Sequence, residues 1–565
     1  MPRPPIIVAL LTLAVTCGLV RTAEAAPTLA HAHAPRYVVH LAPDVDLGTA
    51  TARLADAGLS VHTTVDCAQA LVVDGTADDR AFAKIAKLAG ITSLEPDYPL
   101  PATLPTSRPL SSRVAVTRSE TTPNTQPNDE FFPDQWNIRA ISAPAAWDYT
   151  TGATDALSIV AILDTGIDLD HPDLIGNVYR EAAWNFYDNN QDVQDISPSG
   201  SGTMVAGIIA AEANNGFGIV GLAWRPSIIP LKVIGWDPTQ RIDVFYWSDV
   251  AAGICHAVNR GARVIHISAY HRNLPSAAYS TLYSALNYAT ERGSVVVAPV
   301  GDERQYGNPT EYPASLSRFV VGVGAVYSNQ TIWEHSNTGR YVALVAPGVD
   351  VVTTVPIAVD SVGARYGTGT LLAAAHVSGV ALLMRSVNPV LPPSNIAEIL
   401  RREVDDLGLP GPDTTYGGGQ VNAFRAVGAT PHRLTVSPTS EMVFEWDAQS
   451  QQYDQPSWTV LNNYTSAQTW RATATTDWLH VNGPTTEVPI GSTPSLAAIS
   501  VEPPRPGECN TKAGYVRAES QMPNKANGPQ DILVRVLLPA CPESPFAVFL
   551  PLIQHSPPRP VNTSR

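Results

Sequence analysis

Cysteine is scarce in this chain, with five in 565 residues, and no CxxC pair or Cys/His cluster occurs. That absence excludes a zinc-ribbon or finger architecture, which needs closely spaced thiolates and imidazoles. Charge is sparse as well, at 15% of residues, and it leans acidic, with a formal net charge of −15. Nucleic acid is therefore not an expected partner, because a phosphate backbone needs a concentrated Lys/Arg face. Beyond the N-terminus no apolar run is long enough to suggest a membrane span, and no internal repeat is visible. Apolar residues nevertheless make up 44% of the chain, enough for several cores at this length.

The N-terminus reads as an export leader. Arg3 precedes an apolar stretch from Ile6 to Val20, and Ala23-Glu24-Ala25 supplies a small-x-small cleavage pattern. The expected boundary is residues 1–25, with the mature protein secreted. Cys17 would leave with that leader. Cys509 and Cys541 flank one C-terminal segment and are candidates for a disulfide, whereas Cys67 and Cys255 lie in apolar surroundings and read as core thiols.

Three textures follow. Residues 36–100 read as a small α+β module: a strand Tyr37–Leu41, an amphipathic helix from Leu47 to Ala57, and a strand Ala70–Val73. A helix Ala81–Ala89 and a strand Ile91–Leu94 complete it. Residues 101–128 are rich in Pro, Ser and Thr and read as a linker. In residues 129–429, continuous apolar strands (Ser158–Leu163, Ser227–Ile234, Arg263–Ile267, Ser294–Pro299, Phe319–Val323) alternate with helical stretches. That alternation predicts an α/β fold with a doubly wound, mainly parallel sheet covered on both faces. Residues 430–542 carry short alternating strands broken by Gly, Pro and Asn and predict an all-β sandwich, followed by a Pro-rich tail at 543–565. Trp458, Trp470 and Trp478 are suited to packing in that sandwich or to facing a glycan.

The central motif is Val160-Ala161-Ile162-Leu163-Asp164-Thr165-Gly166-Ile167-Asp168, followed by His171-Pro172-Asp173-Leu174. It resembles the Asp segment of subtilisin-like serine peptidases, and the module at 36–100 resembles their propeptide. The C-terminal region resembles BACON-like immunoglobulin-type domains, through Leu434–Pro438, Thr476–Leu479 and Ile532–Val536. By this resemblance Asp164 falls on the carboxylate that orients the catalytic histidine. The histidine segment of the family reads His-Gly-Thr-His-Val-Ala-Gly. Here it is Ser201-Gly202-Thr203-Met204-Val205-Ala206-Gly207, with Ser201 at the general-base position. A hydroxyl cannot take up a proton near neutral pH as imidazole does, so Ser201 is expected to be only a helix N-cap.

In Gly369-Thr370-Leu371-Leu372-Ala373-Ala374-Ala375-His376-Val377-Ser378-Gly379, the register fixed by His376, Val377 and Gly379 puts Leu371 at the nucleophile position. Leucine has no attacking atom. Asp302 stands where the family places the oxyanion-binding Asn; the related sedolisins do use Asp there, yet they still require the serine. In subtilisin, loss of either Ser or His costs about six orders of magnitude in turnover. His256 and His266 are expected on a core helix and a core strand. The strand end Ala269-Tyr270-His271 replaces the family's Leu-Gly-Gly, which would crowd a peptide pairing there.

The resemblance further implies a calcium loop at Asn214–Gly221, with Asp173 and the Asn215 side chain as oxygen ligands. It also implies that the propeptide-like module lies across the cleft, and a chain without a nucleophile cannot cut that module away. The expected function is that of a secreted, catalytically inactive subtilisin-like protein with a binding or scaffold role toward a peptide or glycan. Two alternatives are an active endopeptidase using unorthodox residues and a passive structural surface protein.

Overall fold

The apolar runs become the strands of one buried sheet. A computed structural model describes residues 36–56, 58–74, 90–110, 126–152 and 158–430, together with separate strands between 435 and 537. Nine strands are ordered, from one edge, Val404–Asp405, Gln420–Val421, Val342–Pro347, Val320–Val326, Val295–Pro299, Val264–Ile267, Ile159–Asp164, Ser227–Lys232 and Trp184–Asn185. All pair in parallel except the first two. Strands covered on both faces have no need of polar alternation, which is why Ile159–Asp164 is buried at every position.

One face carries the apolar helices Ser201–Ala210 and Thr370–Val387, every residue of which is buried. The other carries Trp247–Asn259 and Ser276–Glu291. The α/β, doubly wound architecture expected from the strand texture is the architecture found. Among the described residues, the C-terminal region contributes a six-stranded sheet and two two-stranded ladders, with Trp470 in the strand Gln468–Ala474.

The N-terminal unit is a four-stranded antiparallel sheet, ordered Ser60–Val65, Ala70–Asp74, Arg36–Leu41 and Ile91–Asp97, backed by the helix Leu47–Asp56. The strand Ser60–Val65 was not foreseen; its sequence, Ser-Val-His-Thr-Thr-Val, offers one weak alternation. One face of the unit packs on the helix pair of the main domain, with Val38, Val65, Ala70 and Val72 sharing a core with Val250, Ala251 and Ile254. Arg36, buried at this boundary, donates to Asp249 at 2.9 Å and to the Tyr187 carbonyl at 2.7 Å. Ser248 donates to Asp97 at 2.5 Å.

Two expectations need correction here. Cys67 and Cys255 are not free core thiols: they form a disulfide across this boundary, with Cα atoms 5.7 Å apart. A sequence separation of 188 hid the pair, and docking of the unit creates it. Residues 101–128 are not wholly linker either, since Leu100–Pro101 and Thr106–Pro109 are strands. They add to the edges of short ladders by backbone pairing, which requires no apolar alternation and so leaves no trace in the sequence. The expected leader, the helix Ala81–Ala89, Trp458, Trp478, Cys509, Cys541 and the tail lie outside the described residues.

Candidate functional site

Asp164 ends the strand Ile159–Asp164 at the carboxyl edge of the sheet, where doubly wound folds gather their functional groups. The side chain is fully buried. Its Oδ1 accepts from the Thr165 backbone N–H at 2.6 Å; its Oδ2 accepts from the Ser201 hydroxyl at 3.1 Å and from the Ser268 hydroxyl. Burial pushes the carboxyl up to about 6, against the pull of those donors. Ser201 therefore does not act as the expected N-cap. Gly200 holds the cap position with φ 65°, and Ser201, the first residue of its helix, points its hydroxyl at Asp164. The helix start is pressed against the Asp164 turn: a Cβ on Gly202 would stand 1.9 Å from the Gly166 carbonyl oxygen.

Around this point the fold gathers more buried acid than base. Asp195 accepts from both the backbone and the hydroxyl of Thr203, and burial with Asp164 nearby pushes it up to about 7. Asp243 accepts from Ser197 and is pushed to about 6 by burial. Lys232 lowers Asp243 and donates its Nζ to the Gln194 carbonyl at 3.0 Å.

Leu371 is fully buried near the start of the helix Thr370–Val387. Its neighbour Thr370 is turned elsewhere: the hydroxyl and backbone N–H both donate to Asp302 Oδ1, at 2.5 and 3.0 Å. Asp302 is thus an acceptor at a helix N-terminus, held up at about 7 by burial. Among the described residues no histidine is a hydrogen-bond partner of Asp164. His376 sits between the Leu372 carbonyl and the Asn137 amide, and burial takes it down to about 4. His266 contacts Ser378 and is brought down to about 3 by burial. His171 contacts the Gly363 carbonyl, and His256 that of Ala182.

Residues 100–109 bridge two short ladders and cover the groove between them, which includes Gly369 and Asp302. Leu100 and Pro101 pair with Phe245 and Val244, and Ala102 donates to the Asp243 carbonyl at 2.8 Å. Thr103 donates to Glu303 at 3.1 Å, and Leu104 packs into the core shared with the helix pair. Pro105 is buried over Gly369, where an added Cβ would meet both the Pro105 ring and Asp302 at 3.3 Å. Thr106–Pro109 then pairs antiparallel with Thr368–Arg365. Arg108 lies 4.1 Å over the Tyr366 ring and bonds Asp350 at 2.8 Å. The Ala269-Tyr270-His271 segment is otherwise employed: His271 exchanges two backbone bonds with Tyr312, and the Tyr270 hydroxyl reaches Glu303 at 3.3 Å.

Asp173 and Asn215 do come together. Asp173 Oδ1 accepts from the Asn215 amide, and Oδ2 from the Ile219 N–H, each at 2.8 Å. Gly218, with φ +60°, allows that approach, since a Cβ there would stand 2.1 Å from Asp173 Oδ2. Asp129, which the sequence reading missed, accepts from the Asn214 N–H at 3.0 Å. Burial, reinforced by Asp129 and Glu212, pushes Asp173 up to about 7. Among the described residues, no basic side chain is a hydrogen-bond partner of Asp129, Asp173 or Glu212. Asn215 turns its amide nitrogen toward Asp173 and its Oδ1 toward the Phe217 N–H at 2.9 Å, so a hard cation at these carboxylates would require that amide to rotate.

A profile of the Subtilase family (peptidase S8) matches residues 157–419. The chain is 35% identical over 305 residues to thermitase of Thermoactinomyces vulgaris, covering 53% of this chain and 99% of that one. It is 34% identical over 307 residues to a thermophilic serine proteinase of Bacillus sp. strain AK1, covering 53% and 69% respectively. Among solved structures, fervidolysin from Fervidobacterium pennivorans, a keratinolytic enzyme related to subtilisin, superposes with a TM-score of 0.58. That match has 23% identity and covers 86% of this chain and 70% of that one, a likeness of fold.

Proposed function

We propose, from the premise that this chain belongs to the subtilase family, that its peptidase domain does not hydrolyse peptide bonds and that the protein serves as an exported binding or scaffold protein. The observation that carries the reading is the company Asp164 keeps. In place of an imidazole it receives two serine hydroxyls, and the nucleophile position is a buried leucine. Neither a base of suitable pKa nor an attacking atom is present at the matched positions. Thr370, the nearest hydroxyl in sequence, donates to Asp302 and is thereby committed to the helix start.

The propeptide-like unit, in this reading, stays joined to the domain with its following segment in the groove. The leader pattern and the Cys67–Cys255 disulfide both support export, because such bonds persist in oxidising compartments. Asp129, Asp173 and Asn215 would hold a structural calcium ion. Held there, it would balance the charge of these carboxylates. The test is the intact mass of exported protein with and without a serine-directed fluorophosphonate probe. The reading expects no adduct and an uncut chain from the end of the leader onward. A stoichiometric adduct with a cut between residues 100 and 109 would establish an active endopeptidase instead.

A further inference from the structure

The N-terminal unit is attached to the main domain at two covalent points rather than one. The first is the chain itself, which leaves the groove at Pro109. The second is the Cys67–Cys255 bond, from the short turn Asp66–Ala68 to the helix Trp247–Asn259. Around that bond the surfaces meet as a core does. Asn259 donates to Asp66 at 3.0 Å, His62 contacts the Phe186 carbonyl at 2.9 Å, and Arg36 pairs with buried Asp249. The groove-filling residues 100–109 are continuous in sequence with this unit. Whatever holds the unit therefore also holds the strap over Asp302 and Gly369.

We propose that the disulfide makes the N-terminal unit a two-lock, redox-gated cover. Proteolysis of the connection within residues 111–125 leaves a two-chain protein with the strap still in the groove. Only the combination of that cut with reduction of Cys67–Cys255 lets the cover leave. The redox step is thiol–disulfide exchange with an external dithiol. Two electrons and two protons pass to the protein disulfide, giving two cysteine thiols, and the dithiol leaves as its own disulfide. The reverse step, during export, needs a disulfide-donating oxidoreductase of the same chemical class. The inference stands on the disulfide and the docked surface, not on loss of catalysis; self-cleavage within the strap would overturn the proposed function and leave this arrangement to be tested separately.

The experiment replaces residues 114–119 of the full-length protein with a recognition sequence for a site-specific protease. Alkylation in non-reducing denaturant comes first, and it should leave Cys67 and Cys255 unmodified and joined in one cross-linked peptide. The protein is then cut, diluted highly and passed over a gel-filtration column with or without dithiothreitol. The N-terminal fragment should co-elute fully without reductant and separate with it, while uncut protein plus reductant should stay whole. A Cys67→Ser/Cys255→Ser double variant, its fold checked before cutting by near-ultraviolet dichroism, should release the fragment on cutting alone. Alkylation at both cysteines, release from the oxidised cut protein, or retention after both cut and reduction would each overturn the proposal.

Discussion

Replacing Asp164 by Asn removes a buried negative charge while keeping its shape. Asp164 is buried and its folded pKa, about 6, lies above its ordinary 3.8. The unfolded chain therefore gives up its proton first as pH rises. The native state is penalised progressively between those values, and the penalty is complete above pH 6. Two units correspond to about 3 kcal/mol at pH 8, falling to roughly 1 kcal/mol at pH 4.5. Asn removes the charge while preserving the shape. Its oxygen can accept the Thr165 N–H, and its NH₂ can face Ser201 and Ser268, whose hydroxyls rotate to become acceptors. Asp164→Asn should thus stabilise the protein at pH 8 by up to about 3 kcal/mol and by about 2 kcal/mol less at pH 4.5. Urea unfolding of wild type and variant at both pH values reads this directly. A variant less stable than wild type at pH 8, or a change equal at the two pH values, refutes the reasoning.

Further outcomes follow from the same geometry. Calcium chloride should raise the melting temperature relative to EDTA, magnesium should not substitute, and Asp173→Asn should erase the difference, as scanning calorimetry will show. Leu371→Ser should cost about 2–5 kcal/mol through lost burial and still give no fluorophosphonate adduct by mass spectrometry, because among the described residues no imidazole contacts Asp164. Adding Ser201→His to that variant should restore labelling; a labelled single variant would disprove the assignment of Ser201. Arg36→Ala should cost about 3–5 kcal/mol by leaving Asp249 buried without its cation. Arg36→Ala with Asp249→Asn should recover part of that loss in a double-mutant cycle.

The main domain was legible because its strands are continuous apolar runs and its Asp164 segment is long and specific. Position alone then marked Ser201, Leu371 and Asp302, but not what each side chain does. That Ser201 would bond Asp164 rather than cap its helix depends on how Gly202 seats against Gly166. That Asp302 would anchor Thr370 depends on two segments 68 residues apart. The strap was illegible for a different reason: apart from the Arg108 contacts with Tyr366 and Asp350, Thr106-Ser107-Arg108-Pro109 is held by ladder pairing, which needs no apolar pattern. Asp129 escaped notice because its partners, Asn214 and Asn215, lie 85 and 86 residues away.

The strap also settles a problem of colloidal behaviour. The strands Ile242–Phe245 and Ala364–Thr368 are members of small ladders, each with an edge that would otherwise present unpaired N–H and C=O groups. Exposed edges of that kind recruit strands from neighbouring molecules. Residues 100–109 close both edges at once from within the same chain. A peptidase domain produced without its N-terminal unit would carry two open seams, and its tendency to self-associate should rise with concentration. In this protein the segment that fills the groove doubles as the hem that keeps one molecule from being stitched to the next.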